Sequence, residues 1–329
     1  MFPPHRLTAI LLAIMATTAA VLASAACHSS ASDAPDFPNV VTLGKGNLFP
    51  TIVNSTLAVG ENRVSMTIGD RDDNHVFGAA MHLRYYNLNG TKPKFLSETD
   101  ARFVAIDLSY VDEQSNGEKS PAGNGGVYVS YAHFDEGGDW GVEITITRDG
   151  AKEKPIPFRF TVLDHAIEPA IGDAAPASVQ ATTATDAIDQ IDSSNPSRTA
   201  MHGVTVADAL KTGKPLVIAF ATPAFCRSRT CAPVMDTVMD PLAAKYSDRV
   251  TFIHIEPYIL ADERSSNVQN AVAAVREWQL QSEPWIFVVN RDGRIAANFE
   301  GIVAADEVES VLALTLGDSS ISATPGAAQ

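Results

Sequence analysis

Between Val40 and His165 the chain alternates apolar and polar residues with a period of two. Val64, Met66 and Ile68 are set against Ser65 and Thr67, while Val104, Ile106, Leu108 and Tyr110 keep a single parity. Trp140, Val142, Ile144 and Ile146 stand opposite Glu143, Thr145 and Thr147, and Phe158, Phe160 and Val162 close the series. Successive side chains of a strand point to opposite faces, so each segment reads as a strand with one face in a core and one in water. The stretches between them (Asp70 to Asn74, Asn87 to Gly90, Asn124 to Gly126, Glu136 to Asp139, Asp149-Gly150) are rich in Gly and Asn, which supply the φ > 0 conformers of tight hairpins. About eight short strands and no helical stretch predict an all-β antiparallel sandwich.

Past Gly203 the rhythm changes. Pro215 to Phe220 and Val250 to Ile255 are near-continuous apolar runs, as in strands buried on both faces. Thr205 to Thr212 reads as a short helix, and Val234, Met235, Val238, Met239 and Leu242 recur at helical spacing, as does the stretch Val268 to Leu280. Trp285 to Asn290 and Ile295 to Phe299 read as strands joined at Arg291-Asp292-Gly293, and Ala305 to Leu316 as a last helix. A βαβ unit followed by a hairpin and a helix is α/β. Ile167 to Ala200, an Ala/Thr/Ser/Asp/Pro stretch with little periodicity, reads as a polar, mobile linker.

The 329 residues are about twice a typical domain, which suits two domains. The balance of 24 Lys+Arg against 39 Asp+Glu, a net charge of −15, lacks the positive surface that sequence-independent nucleic-acid binding needs. No nucleic-acid partner is expected. The β region is loosely immunoglobulin-like. It holds no cysteine, and its histidines, His75, His82 and His133, show no ligand spacing. They read as surface or strand-end residues, with no metal site, and the region reads as a binding or positioning module.

The N-terminus reads as an address. Met1 to Arg6 carry one Arg and one His, and Leu7 to Ala23 form an apolar run ending in small residues, the layout of an export signal. Cleavage after Ala25 would release a soluble protein. Alternatively Ser24-Ala25-Ala26-Cys27 resembles a bacterial lipobox, although Ser24 stands where lipoproteins usually carry Leu. A third cysteine needing a use, and the flexible look of His28 to Phe37, favour lipidation of Cys27. The expected organisation is an export signal over 1–26, a tether over 27–39, the β-sandwich over 40–166, a linker over 167–202, an α/β domain over 203–318 and a disordered tail over 319–329. The expected location is outside the cytoplasm, in the periplasm or on the outer face of the bacterial membrane, held by lipid or signal anchor or else secreted.

Between the first α/β strand and its helix lies Cys226-Arg-Ser-Arg-Thr-Cys231. The strand ends in an aromatic-flanked cysteine (Phe220-Ala-Thr-Pro-Ala-Phe-Cys226), a second cysteine opens the helix, Pro284 immediately precedes the third strand, and Arg291-Asp292-Gly293 makes the hairpin. With these features the region from Gly203 to Leu316 resembles a thioredoxin-like domain, closest to exported, membrane-anchored thiol-disulfide oxidoreductases. The resemblance implies a cis Pro284 facing a Cys226/Cys231 disulfide, with Glu283 and Trp285 beside the substrate groove. It departs in spacing, with four residues between the cysteines where the family has two. An i, i+5 pair on a regular helix exceeds the ~5.5–6 Å Cα separation of a disulfide, so Arg227 to Thr230 must form a loop or the first helical turn must unwind.

Exchange needs a thiolate, favoured by helix N-termini and nearby cations. Cys226, between Phe225 and the cations Arg227 and Arg229, is the candidate nucleophile and Cys231 the resolving partner. The expected partners are protein thiols or disulfides and an upstream redox protein, with no organic cofactor. Three rivals remain. Peroxiredoxins also separate cysteines by four residues, but place a threonine three before the first, whereas Thr222 lies four before Cys226. Copper-delivery proteins of the cytochrome-oxidase assembly type add a late histidine, and none follows Pro284. A non-catalytic envelope adaptor with a degenerate thioredoxin fold is the third. Trp278 reads as core, Glu256 as an exposed strand-end carboxylate, and Pro241 as a kink in the second helix.

Overall fold

The computed structural model describes residues 35–38, 48–70, 74–108, 124–260 and 270–318. The expected export signal, Cys27 and the C-terminal tail lie outside the described residues. Among those that are described, no helix is long and apolar enough to cross a membrane.

Eight strands fill the N-terminal half: β1 (Phe49–Ile52), β2 (Gly60–Gly69), β3 (Ala80–Asn87), β4 (Lys94–Asp107), β5 (Asn124–Phe134), β6 (Gly138–Arg148), β7 (Ala151–Lys152) and β8 (Ile156–Val162). They form one antiparallel sheet in the order β1-β2-β5-β4-β3-β6-β7, with β8 also on β6. This corrects the expected immunoglobulin-like sandwich of two facing sheets. The reason lies in β4. Lys94 to Ala101 pair with β3 along one edge, and Arg102 to Asp107 pair with β5 along the other. A strand shared in this staggered way shears the sheet, and its twist then coils it around its own apolar face. The two ends of the curl meet where Leu163 pairs with the chain entering β2, through Val59 N–H to Leu163 O at 2.9 Å and Leu163 N–H to Leu57 O at 2.8 Å. The result is a half-barrel, filled by Val64, Met66, Ile68, Leu83, Tyr85, Trp140, Val142 and Ile144.

The outer face of this sheet does not all meet water. Val104 and Ile106 of β4 and Val127 and Val129 of β5 join a second core built largely from the C-terminal half, while Tyr128 points into the half-barrel. Two-sided burial explains why strict alternation fades in β5. Gly126, where β4 crosses, has no room for a side chain: a Cβ there would lie 2.7 Å from the Val104 carbonyl oxygen.

The C-terminal half carries α1 (Ile188–Ile191), a 3-10 turn (Thr199–His202), α2 (Val206–Leu210), β9 (Leu216–Phe220), α3 (Cys231–Val234), a π-helical turn (Met235–Met239), α4 (Asp240–Tyr246), β10 (Thr251–Ile255), α5 (Ala273–Glu277), β11 (Trp285–Val289), β12 (Ile295–Glu300) and α6 (Ala305–Leu316). Its sheet runs β10-β9-β11-β12, with β9 and β10 parallel and β11 antiparallel to both β9 and β12. Every residue of β9 and β11 is buried. The helix from Cys231 to Tyr246 is continuous but loosens into a π turn just before Pro241. Proline has no N–H for the regular ladder, so the backbone widens there instead of breaking.

Residues 167–202 are built into this half and do not run free as a mobile linker. Gly172 N–H and Ala175 N–H donate to Ile295 O and Gly293 O at 2.8 and 2.9 Å. Ser178 accepts from Trp278 Nε1 at 3.0 Å, and Gln180 bonds both Val204 O and Val206 N–H. Composition misleads here because small polar side chains, which suit linkers, also satisfy buried backbone groups where no regular element exists.

Candidate functional site

Cys226 ends the connection leaving β9, and Cys231 opens α3. Between them the chain turns, with Arg229 in the left-handed region at φ 59°. That turn brings the two Cα atoms to 5.9 Å with the sulfurs at disulfide distance, so the loop form anticipated from the spacing is the one found. Cys231 is fully buried and Cys226 is 9% exposed. Cys231 N–H, the first amide of the helix, donates to Cys226 Sγ at 3.4 Å. The Ser228 hydroxyl lies 3.1 Å from the same sulfur and 2.7 Å from the Thr230 hydroxyl.

The Glu283–Pro284 bond is cis. Glu283 faces the cysteine loop, sharing a groove with Ser228, Arg229 and Thr230. Its carboxylate accepts from Tyr258 O–H at 2.8 Å. Burial nevertheless pushes Glu283 above the usual carboxylate range, against the pull of Tyr258 and Arg227. Burial raises Tyr258 as well, and the neighbouring carboxylate adds to the rise.

An open groove of about 750 Å³ runs along this face, bounded by Ser228 to Thr230 on one side and by Ser282 and Glu283 on another. Its far wall comes from the half-barrel, chiefly Phe77, Leu108 and Val127. Arg227 and Arg229 are exposed. Trp285 does not line this groove. It is 5% exposed, stacks on Phe287, and donates from Nε1 to Ser282 Oγ at 3.0 Å. A Trp at the start of a strand buried on both faces packs into the sheet's core, where Trp278 also sits.

Glu256 corrects a second expectation. It is buried, not an exposed strand-end carboxylate, and burial pushes it up to about 7 despite the hydroxyls of Thr222 and Ser193. Residues 192 and 193, folded over the strand end, are what cover it; Ser193 N–H donates to Glu256 Oε2 at 3.1 Å. The half-barrel histidines lie at the surface. His82 Nδ1 is 2.8 Å from Asp100, and His133 Nδ1 is 2.8 Å from Glu61, all four residues being exposed or half-exposed. The sequence places His254 in the second α/β strand, as the last histidine, without a partner; it is buried together with His202 and Asp192. Fifty-two residues separate the two histidines, and no local spacing could have paired them.

A family model described as a thioredoxin-like domain matches residues 204–315. The C-terminal part of the chain is therefore a thioredoxin-like domain, and its cysteine pair at disulfide distance suits thiol-disulfide redox chemistry in general. No curated protein matches the chain. Among solved structures, the crystal structure of MtrC from Shewanella baltica OS185 is similar over 41% of this chain and 24% of its own, at 14% identity and a TM-score of 0.24. The chain thus spans about a quarter of that structure's length, and a likeness at that score carries no argument.

Proposed function

We propose that this protein exchanges disulfides with protein substrates outside the cytoplasm, with Cys226 as the attacking sulfur and Cys231 as the resolving one. The observation that carries this reading is the pair itself: two sulfurs at disulfide distance where the chain turns into α3 of a thioredoxin-like domain, with Cys226 the less buried of the two. As reductant, the Cys226 thiolate attacks one sulfur of a substrate disulfide. The substrate S–S bond breaks, its leaving thiolate takes up a proton, and a Cys226–substrate disulfide forms. The Cys231 thiolate then attacks Cys226 Sγ, releasing the second substrate thiolate and closing the Cys226–Cys231 bond, so two electrons pass to the substrate. A dithiol substrate runs the same steps in reverse, and a second redox protein resets the pair.

The helix N-terminus and the first amide, donating to Cys226 Sγ, favour the thiolate, and Arg227 and Arg229 add positive charge beside it. Glu283 lines the groove that receives the substrate chain, and the cis bond to Pro284 joins it to β11. The extracytoplasmic setting, with lipidation at Cys27, is supported by the N-terminal sequence alone; palmitate labelling of the full chain, lost in Cys27→Ala, is its test.

Exchange itself is tested by trapping the thiols of the full chain across a series of glutathione buffers. One reversible two-electron transition, abolished by Cys226→Ser together with turnover of a disulfide-bonded protein substrate, is the expected result. A pair that stays reduced in every buffer, or that resists strong reductant, overturns the reading in favour of a non-catalytic adaptor.

A further inference from the structure

Asp192, His202 and His254 meet behind β10, with side chains no more than 1% exposed. His202 Nε2 lies 3.1 Å from His254 Nδ1 and 3.4 Å from Asp192 Oδ2, and His254 Nδ1 lies 3.6 Å from Asp192 Oδ1. Zinc–ligand bonds of about 2.0–2.1 Å in a tetrahedron set neighbouring ligand atoms roughly 3.3–3.4 Å apart. The nitrogen–nitrogen separation and that from His202 to Asp192 Oδ2 lie near that value, and one ligand atom from each of the three residues falls within 4.8 Å of the others.

The protons argue the same way. His254 Nε2 lies 2.9 Å from the Ala221 carbonyl oxygen, which can only accept, so Nε2 carries the hydrogen and Nδ1 presents a lone pair to the cluster. Both Asp192 oxygens also present lone pairs there. Backbone N–H groups hold that carboxylate in place: Ser194 on Oδ1 at 2.8 Å and Arg198 on Oδ2 at 2.6 Å. His202 Nε2 can bring at most one hydrogen to these acceptors. That one hydrogen bridges His202 Nε2 to His254 Nδ1 or to Asp192 Oδ2, and a dication in its place would take a lone pair from each of the three residues. An outer hydrogen bond from one ring nitrogen to a carbonyl, with the other nitrogen turned inward, is the usual support of a metal-bound histidine.

A cavity with a carboxylate on its wall adjoins the cluster. His202 and His254 line a cavity of about 280 Å³ together with Glu256. Glu256 is only 5% exposed, and its carboxylate is met by Ser193 N–H and by the hydroxyls of Thr222 and Ser193. Its place on the wall of this cavity suits a cation or a cation-bound water.

We propose that Asp192, His202 and His254 form a binding site for a divalent late first-row metal ion of the zinc type, with a fourth position open to the cavity beside Glu256. Two imidazoles and a carboxylate are the donor set such ions take, and their −1 charge is overcome by a dication. Bound there, the ion ties the 192–202 segment to β10 and to Ala221, which leads into the cysteine loop. The site shares no atom with the cysteine pair, so it stands whether or not disulfide exchange does.

The test titrates the oxidised full-length protein with cobalt(II) and then zinc(II), the disulfide keeping Cys226 and Cys231 out of reach. The expected result is one equivalent of cobalt with the intense visible bands of a four-coordinate ion, displaced by zinc. Binding weakens at least tenfold in His202→Asn and in His254→Gln but is unchanged in a His82→Asn/His133→Asn control, which removes the surface histidine–carboxylate pairs. Imidazole nitrogen NMR of the wild type keeps the test independent of how the variants fold: zinc must shift Nε2 of one buried histidine and Nδ1 of the other. No binding to the oxidised protein, or binding that follows the surface histidines alone, overturns the site and leaves the cluster a hydrogen-bonded network.

Discussion

The two sheets solve the burial of their faces in opposite ways. The four-stranded sheet of the thioredoxin-like half is covered on both sides, largely by its own helices, and every residue of β9 and β11 is buried. The eight-stranded sheet covers one face by curling on itself and part of the other by lying against α3, α4 and α6. One half therefore carries the cysteine pair beside its buried sheet, and the other supplies a wall. The wall is held by an apolar patch and by one buried ion pair. Arg63 of β2 reaches Glu307 of α6 at 2.8 and 3.0 Å, and Tyr131 O–H donates to the same carboxylate at 2.7 Å. Glu307 also accepts from Ala304 N–H at 3.0 Å, so one carboxylate caps the last helix and docks the half-barrel. Such an arrangement makes the halves depend on each other even though only one of them carries the redox pair.

The most damaging way to break that dependence is Glu307→Gln, which leaves the Arg63 guanidinium buried without its counter-charge. Losses on removing one partner of a buried pair run to about 3–5 kcal/mol. The check is a urea melt followed at Trp140 in the half-barrel and at Trp278 in the C-terminal half. The wild type should show one coincident transition, and the variant an earlier loss of the half-barrel signal. Acid should do the same reversibly. Burial alone would raise Glu307, but the bonds and charge of Arg63 outweigh it and hold the carboxyl below its usual 4.5. The folded state thus binds this proton more weakly than the unfolded chain. The stabilisation is complete above about pH 4.5 and fades as the pH falls through the lower folded value. In Glu307→Gln the contribution of this site to the acid limb disappears.

Ile106→Ala probes the apolar side of the same contact. A buried isoleucine cut to alanine costs on the order of 3 kcal/mol, although Ile106 belongs by sequence to the β region. Its loss should lower the stability of both halves together, read at both tryptophans; a loss confined to Trp140 would mean that the shared core is not cooperative. The smallest effect sharpens the contrast from outside. His82→Asn removes exposed contacts to Asp100 and Glu98, and surface pairs of this kind contribute about 0–1 kcal/mol. Both transitions should stay within about 0.5 kcal/mol of wild type.

Local pattern placed strands such as β2 and β6, where alternation reports burial residue by residue, but it read Asn124 to Gly126 as a turn where β5 already pairs with β4. It was enough for the redox loop: five positions separate Cys226 from Cys231, and the constraint that joins them is local backbone geometry. Trp140, Val142, Ile144 and Ile146 had to face one core, and Pro284 had to stand before β11. What covers a face is a different matter. Periodicity shows that Val104 and Ile106 share a side but not that the side meets α3 and α6, nor that a staggered β4 would curl one sheet instead of splitting it into two. The segment 167–202 looked like a linker because its small polar residues satisfy buried backbone as readily as they meet water. Asp192, His202 and His254 are brought together only when that segment packs behind β10, since three ligand atoms within 4.8 Å depend on long-range closure that no spacing along the chain records.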